Sequence, residues 1–95
     1  MLMAKSIEKH NNKYVKENRK MEELIKILNS IKPGIDYANN DSLVEDGVLD
    51  SLAIVSLVAA IDKTFDVQIR ATDLVPKNFN SANSIYELIQ RLEEE

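Results

Sequence analysis

The sequence predicts an all-α protein, an irregular antiparallel bundle of three main helices plus one short helix, and three observations carry that prediction. Apolar residues recur at spacings of three and four in three separate stretches. The only strand-like alternation, Val67 and Ile69, is two positions long and does not make a sheet. The two prolines and two glycines fall between the helical stretches rather than within them.

The first helix is predicted from Met21, because Met21, Leu24, Ile25, Leu28 and Ile31 share a face and Glu22 and Glu23 suit the positive end of a helix dipole. Pro33-Gly34 closes it. Residues 35–49 read as a long connection, punctuated by Asn39-Asn40-Asp41-Ser42 and Asp46-Gly47 and pinned by Ile35, Leu43, Val44 and Leu49. Asp50-Ser51 starts the second helix, with Asp50 as a favoured N-cap and Leu52, Val55, Val58, Ala59, Ile61 and Phe65 as its apolar stripe. A short helical turn is expected over Thr72 to Val75, stopped by Pro76, and a last helix capped by Ser81 is built on Ile85, Leu88, Ile89 and Leu92. The expected core is Val44, Leu49, Leu52, Val55, Val58, Phe65, Leu74, Phe79, Ile85, Leu88 and Ile89.

Composition narrows the function. Ninety-five residues make one domain, and a chain of this mass buries roughly 65% of its unfolded surface, enough for a small core without staples. No cysteine is present and His10 is the single histidine, so disulfides, thiolate metal sites and the usual nucleophile–base pairs are missing. The acidic part of the chain has no glycine-rich phosphate loop, and a calcium loop starting at Asp36 fails because Asp41 falls where glycine is needed and Gly47 where the bidentate Glu belongs. No run approaches a membrane span or a secretory leader, so a soluble, cytoplasmic protein that does not insert into membranes is expected. Charge divides the chain: residues 1–20 hold six Lys/Arg against Glu8 and Glu17, whereas residues 21–95 hold six against fourteen Asp/Glu, which disfavours nucleic acid as a partner. Residues 1–20 are expected to be a basic, flexible extension and 21–95 the folded domain.

The most unusual chemistry left is a serine hydroxyl at the first position of a hydrophobic helix. As a hydrolase nucleophile Ser51 lacks a nucleophile elbow and a histidine partner, and as a plain helix start it needs no function at all. The run Asp46-Gly47-Val48-Leu49-Asp50-Ser51-Leu52, followed by Ile54-Val55-Ser56-Leu57-Val58 and Phe65, resembles the phosphopantetheine attachment region of acyl carrier proteins. The likeness extends over the length of the second helix, the Val67/Ile69 connection and the Ser81-capped last helix. It implies that Ser51 is the covalent attachment point, that Asp50 supports the transfer, and that a separate phosphopantetheinyl transferase moves the group from coenzyme A onto Ser51. The protein would then be no enzyme. It would be an acyl or aminoacyl carrier that holds cargo as a thioester for an activating ligase and a downstream transferase or synthase, working as a monomer. The absence of cysteine agrees with this, because the thiol then belongs to the prosthetic arm.

Partner recognition is expected at Leu52, Asp46, Val55 and Asp62, although Ala53 and Ser56 stand at exposed positions where fatty-acid carriers frequently have acids. The segment from Asp73 to Ile85, with Phe79 before the last helix, resembles D-alanyl and other stand-alone carriers. Bulky Ile54 and Leu74 are expected beside the cleft between the second and third helices, where they would crowd a long chain. The alternative function is an unmodified helical adaptor domain of the same fold, acting through surface contacts alone.

Overall fold

The computed structural model describes residues 19–95, which form helices and turns with no strand among them. Helix α1 occupies 19–31 of the described chain, α2 runs Ser51–Phe65, a 3₁₀ turn covers Ala71–Asp73, α3 is the short Pro76–Phe79, and α4 is Ala82–Glu93. Three main helices and one short one reproduce the expected all-α bundle. The expected basic extension over 1–20, His10 included, lies outside the described residues except for Arg19 and Lys20, which are helical.

Each helix ends for a local reason. At the C-terminus of α1 the Tyr37 hydroxyl reaches back to the carbonyls of Leu28 and Lys32, using a buried ring from the following loop to close the helix. Burial pushes the Tyr37 phenol above its ordinary value. Helix α2 stops at Asp66, whose left-handed backbone (φ 54°) sends its N–H back to the Asp62 carbonyl. Helix α4 begins with a reciprocal pair, Ser81 Oγ accepting from Ser84 N–H at 3.0 Å and Ser84 Oγ accepting from Ser81 N–H at 3.1 Å.

Leu24 and Leu28 of α1, Ala53, Leu57 and Ile61 of α2, and Ala82, Ile85, Leu88 and Ile89 of α4 meet in one core, joined by Tyr37, Leu43, Leu49, Ile69 and Phe79 from the connections. Val44, Val58 and Phe65 pack against it partly buried, and Leu49, Phe79, Ile85, Leu88 and Ile89 lie within it as expected. Leu52, Val55 and Leu74 do not belong to it: they are 80%, 66% and 46% exposed. Ala53, expected on the surface, is buried instead. The reason is that ten of the fifteen residues of α2 are apolar, so its periodicity admits more than one inward face. The face that wins is the i, i+4, i+8 row of Ala53, Leu57 and Ile61.

Pro76 is a second correction. It was expected to end a helical turn over 72–75, yet it opens α3 at the first helical position, where its missing N–H has no helical partner to lose. The preceding turn is the shorter 3₁₀ element, held by Asp73 accepting from the Arg70 N–H at 3.0 Å. Ion pairs tie the far end of the bundle: Lys20 to Glu93 at 2.9 Å and Arg70 to Glu95 at 2.9 Å. The Glu95 and Asp73 carboxylates raise the Arg70 pKa further.

Candidate functional site

The site is assembled where the 35–49 connection meets α2. Residues 42–49 form a compact turn: Asp46 N–H donates to Ser42 O at 2.7 Å, Gly47 N–H to Val44 O at 3.1 Å, and Leu49 N–H to Leu43 O at 2.9 Å. Gly47 has φ 79°, a left-handed conformation that an L side chain adopts only under strain. Buried Leu43 and Leu49 anchor the two ends of this turn and deliver the chain to Asp50.

Asp50 is the N-cap of α2, extended at φ −82° and ψ −178°, and its Oδ1 accepts from the Ala53 N–H at 2.9 Å. Ser51 follows as the first helical residue and is exposed. It belongs to the first turn of the helix, whose N–H groups have no carbonyl one turn earlier to pair with and carry the positive end of the dipole. Leu52 and Val55 flank it on the outside, and exposed Asp46 lies on the approaching turn. The structure therefore gathers Ser51, Asp50, Leu52 and Val55 at one end of α2.

Asp62 stands apart from them. It lies eleven residues beyond Ser51, about 16 Å along the helix at 1.5 Å per residue, and its Oδ1 accepts from the Ile69 N–H at 3.0 Å. That carboxylate is committed to holding the α2–3₁₀ connection. Ser56 is exposed as expected, whereas the neighbouring Ala53 is core.

Beside the site, Val44, Ile54, Leu74, Val75, Pro76 and Phe79 line a mostly apolar cavity of about 110 Å³. Ile54 and Leu74 thus both line the cleft between α2 and the segment leading to α3. Sequence reasoning passed over Asn80, whose side chain grips the 44–45 backbone from 35 residues downstream. An Asn between Phe79 and Ser81 carries no motif or periodicity that marks it.

A small helical bundle that presents an exposed serine at the first position of a capped helix has the form of a carrier domain. Comparison with known proteins gives the same class. A family model described as the phosphopantetheine attachment site matches residues 21–94, and the chain belongs to that family. It is a carrier protein that bears a covalent phosphopantetheine arm. It is similar to the D-alanyl carrier protein of Lactobacillus delbrueckii subsp. bulgaricus, 27% identical over 64 residues, covering 65% of this chain and 80% of that protein. It is also similar to the D-alanyl carrier protein of Lactococcus lactis subsp. lactis, 26% identical over 77 residues, covering 78% of this chain and 96% of that protein. No solved structure gives a significant match.

The residues present suit such a group. A phosphodiester needs one accessible primary hydroxyl and tolerates best a surrounding of N–H donors, and the start of α2 offers both, with Asp50 as its single carboxylate and that carboxylate turned to the Ala53 N–H.

Proposed function

We propose that Ser51 is the attachment point of the arm and that this chain carries an aminoacyl or short acyl group on it. The observation that bears most weight is the exposed Ser51 hydroxyl at the first position of α2, set there by the Asp50 cap and the buried Leu49 anchor. A phosphopantetheinyl transferase supplies the group from coenzyme A: Ser51 Oγ forms the new bond to phosphorus, the adenosine bisphosphate half departs, and the serine proton passes to the transferase. Once bound, the arm supplies the thiol that holds cargo as a thioester, which this cysteine-free chain lacks. The chain's own part is to hold the hydroxyl outward and to present Leu52, Val55 and Asp46 to partners. It catalyses nothing itself, and its partners are the transferase, an activating ligase and a downstream transferase or synthase, in the cytoplasm. No described helix is long and apolar enough to cross a membrane. Intact-mass measurement after incubation with coenzyme A, magnesium and a broad-specificity transferase tests the reading: a gain of one phosphopantetheinyl group is expected, and an unchanged mass returns the chain to the adaptor alternative.

Asp50 has two separable roles. Asp50→Asn keeps a residue that caps about as well, so stability should change by only a few tenths of a kcal/mol, whereas Asp50→Ala should cost about 1 kcal/mol. If the carboxylate also supports transfer, Asp50→Asn loads more slowly at unchanged stability. Loading at the wild-type rate would reduce Asp50 to a cap.

The similarity to D-alanyl carrier proteins supports a small cargo, and the cavity agrees. At about 110 Å³ it is small beside the roughly 150 Å³ of a cavity that accommodates benzene, which favours a short cargo over an eight-carbon chain behind Ile54 and Leu74. Loading the arm with alanyl or octanoyl groups should perturb only amides near Ser51 in both cases. Shifts spread through α2 with octanoyl alone would show the cleft opening for a long chain.

A further inference from the structure

The junction between α3 and α4 reaches the site through one residue. The Asn80 carbonyl accepts from the Leu43 N–H at 2.9 Å. Its side-chain Oδ1 accepts from the Val44 N–H at 3.1 Å and, more weakly, from the Glu45 N–H at 3.4 Å, while Nδ2 donates to Glu45 Oε1 at 3.3 Å. Three consecutive residues of the 42–49 turn are thus tied to a single asparagine. From them the connection to the site is short: the Leu43 carbonyl accepts from the Leu49 N–H, the Val44 carbonyl from the Gly47 N–H, and Leu49 is bonded to Asp50.

Asparagine is matched to this place because one side chain supplies both an acceptor for backbone N–H groups and a donor for a carboxylate. Alanine supplies neither. Aspartate keeps the acceptor but sets a second negative charge against Glu45.

We infer that Asn80 is a positioning residue for the loading of Ser51, its side-chain amide holding residues 44–48 in the conformation that the phosphopantetheinyl transferase engages. This rests on the assignment of the arm to Ser51. Asn80 contacts no reacting atom; it acts through Val44 and Glu45. Without the amide the turn samples other shapes, and the apparent affinity for the transferase falls in proportion to the fraction still competent to bind. The catalytic step follows binding and is unaffected. The Asn80 carbonyl and the Leu43 N–H are main-chain groups, so their bond does not depend on the Asn80 side chain.

The experiment measures transferase kinetics by intact mass, with the unmodified chain as the varied substrate, alongside amide hydrogen exchange. Asn80→Ala should raise KM about tenfold, a loss of about 1.4 kcal/mol in binding, with kcat within about twofold of wild type and faster exchange confined to 44–48. Asn80→Asp alone should be impaired at least as much. Combined with Glu45→Gln it reverses the polarity of the 45–80 side-chain bond and should bring KM back toward wild type. Ile89→Val trims the buried face of α4 and mildly destabilises the core, so it controls for general destabilisation and should leave KM alone. A wild-type KM in Asn80→Ala, an effect on kcat instead, or an equal KM loss in Ile89→Val overturns the inference. If Asn80→Ala fails to fold, recovery or non-recovery in the Asn80→Asp/Glu45→Gln pair decides it. Loading of Ser51→Ala, or no loading of wild type, overturns the Ser51 assignment and this inference with it, whereas normal loading of Asn80→Ala overturns this inference alone.

Discussion

Ser51→Ala should take up no phosphopantetheine under conditions that load the wild type fully, while its helical circular dichroism and unfolding midpoint stay nearly where they were. The loss is complete because no other group can replace a single oxygen nucleophile placed at that point. The stability is spared because Ser51 is exposed and the cap belongs to its neighbour: Asp50 Oδ1 holds the Ala53 N–H whether or not residue 51 has a hydroxyl. Alanine is also the strongest helix former, which favours the substitution inside a first turn. A mass gain in this variant would move the attachment to another hydroxyl. A collapse of helicity would mean that the serine holds the fold together.

Phe79→Ala should produce the largest loss of stability, about 3–5 kcal/mol by analogy with other buried aromatic truncations. Phe79 is 1% exposed and is the bulkiest fully buried side chain of the core. It ends α3, forms one wall of the cavity shared with Ile54 and Leu74, and sits directly before Asn80. Removing it merges its own volume with an existing void, a setting in which neighbours have little left to collapse onto. For a domain of this size each kcal/mol moves the melting temperature by about 4–8 °C, so a fall of at least roughly 12 °C is expected. Chemical denaturation with Phe79→Leu as the milder companion checks it. A loss under about 1 kcal/mol would show that the ring is not the plug its burial describes.

Legibility in the sequence varied with how many answers the pattern allowed. The start and inward face of helix α4 were readable because its apolar positions Ile85, Leu88, Ile89 and Leu92 stand among mostly polar neighbours and Ser81 marks the cap. Helix α2 was readable as a helix but not in rotation. With apolar residues almost all round, its stripe could be drawn through Leu52 and Val55, and only packing against Leu43, Leu49 and the other helices selects Ala53, Leu57 and Ile61. The misassigned pair is informative, since two bulky side chains left outside the core next to Ser51 are available to a partner. Pro76 was ambiguous for a different reason: a proline that cannot continue one helix is equally suited to begin the next. Ser51 stood out through the resemblance of a contiguous motif. Asn80 could not be found that way, because its role depends on a contact between two segments far apart in the chain.

The Lys20–Glu93 bridge brings Lys20 of α1 beside the finish of α4, while the Asn80–Leu43 bond ties the segment leading into the opposite tip of α4 to the 42–49 turn that precedes Ser51. Twelve helical residues, about 18 Å at 1.5 Å per residue, separate those two regions. With the arm on Ser51 as proposed, a bead, affinity handle or fusion partner attached after residue 95 sits at the other end of α4, and an immobilised domain would leave the arm free to swing.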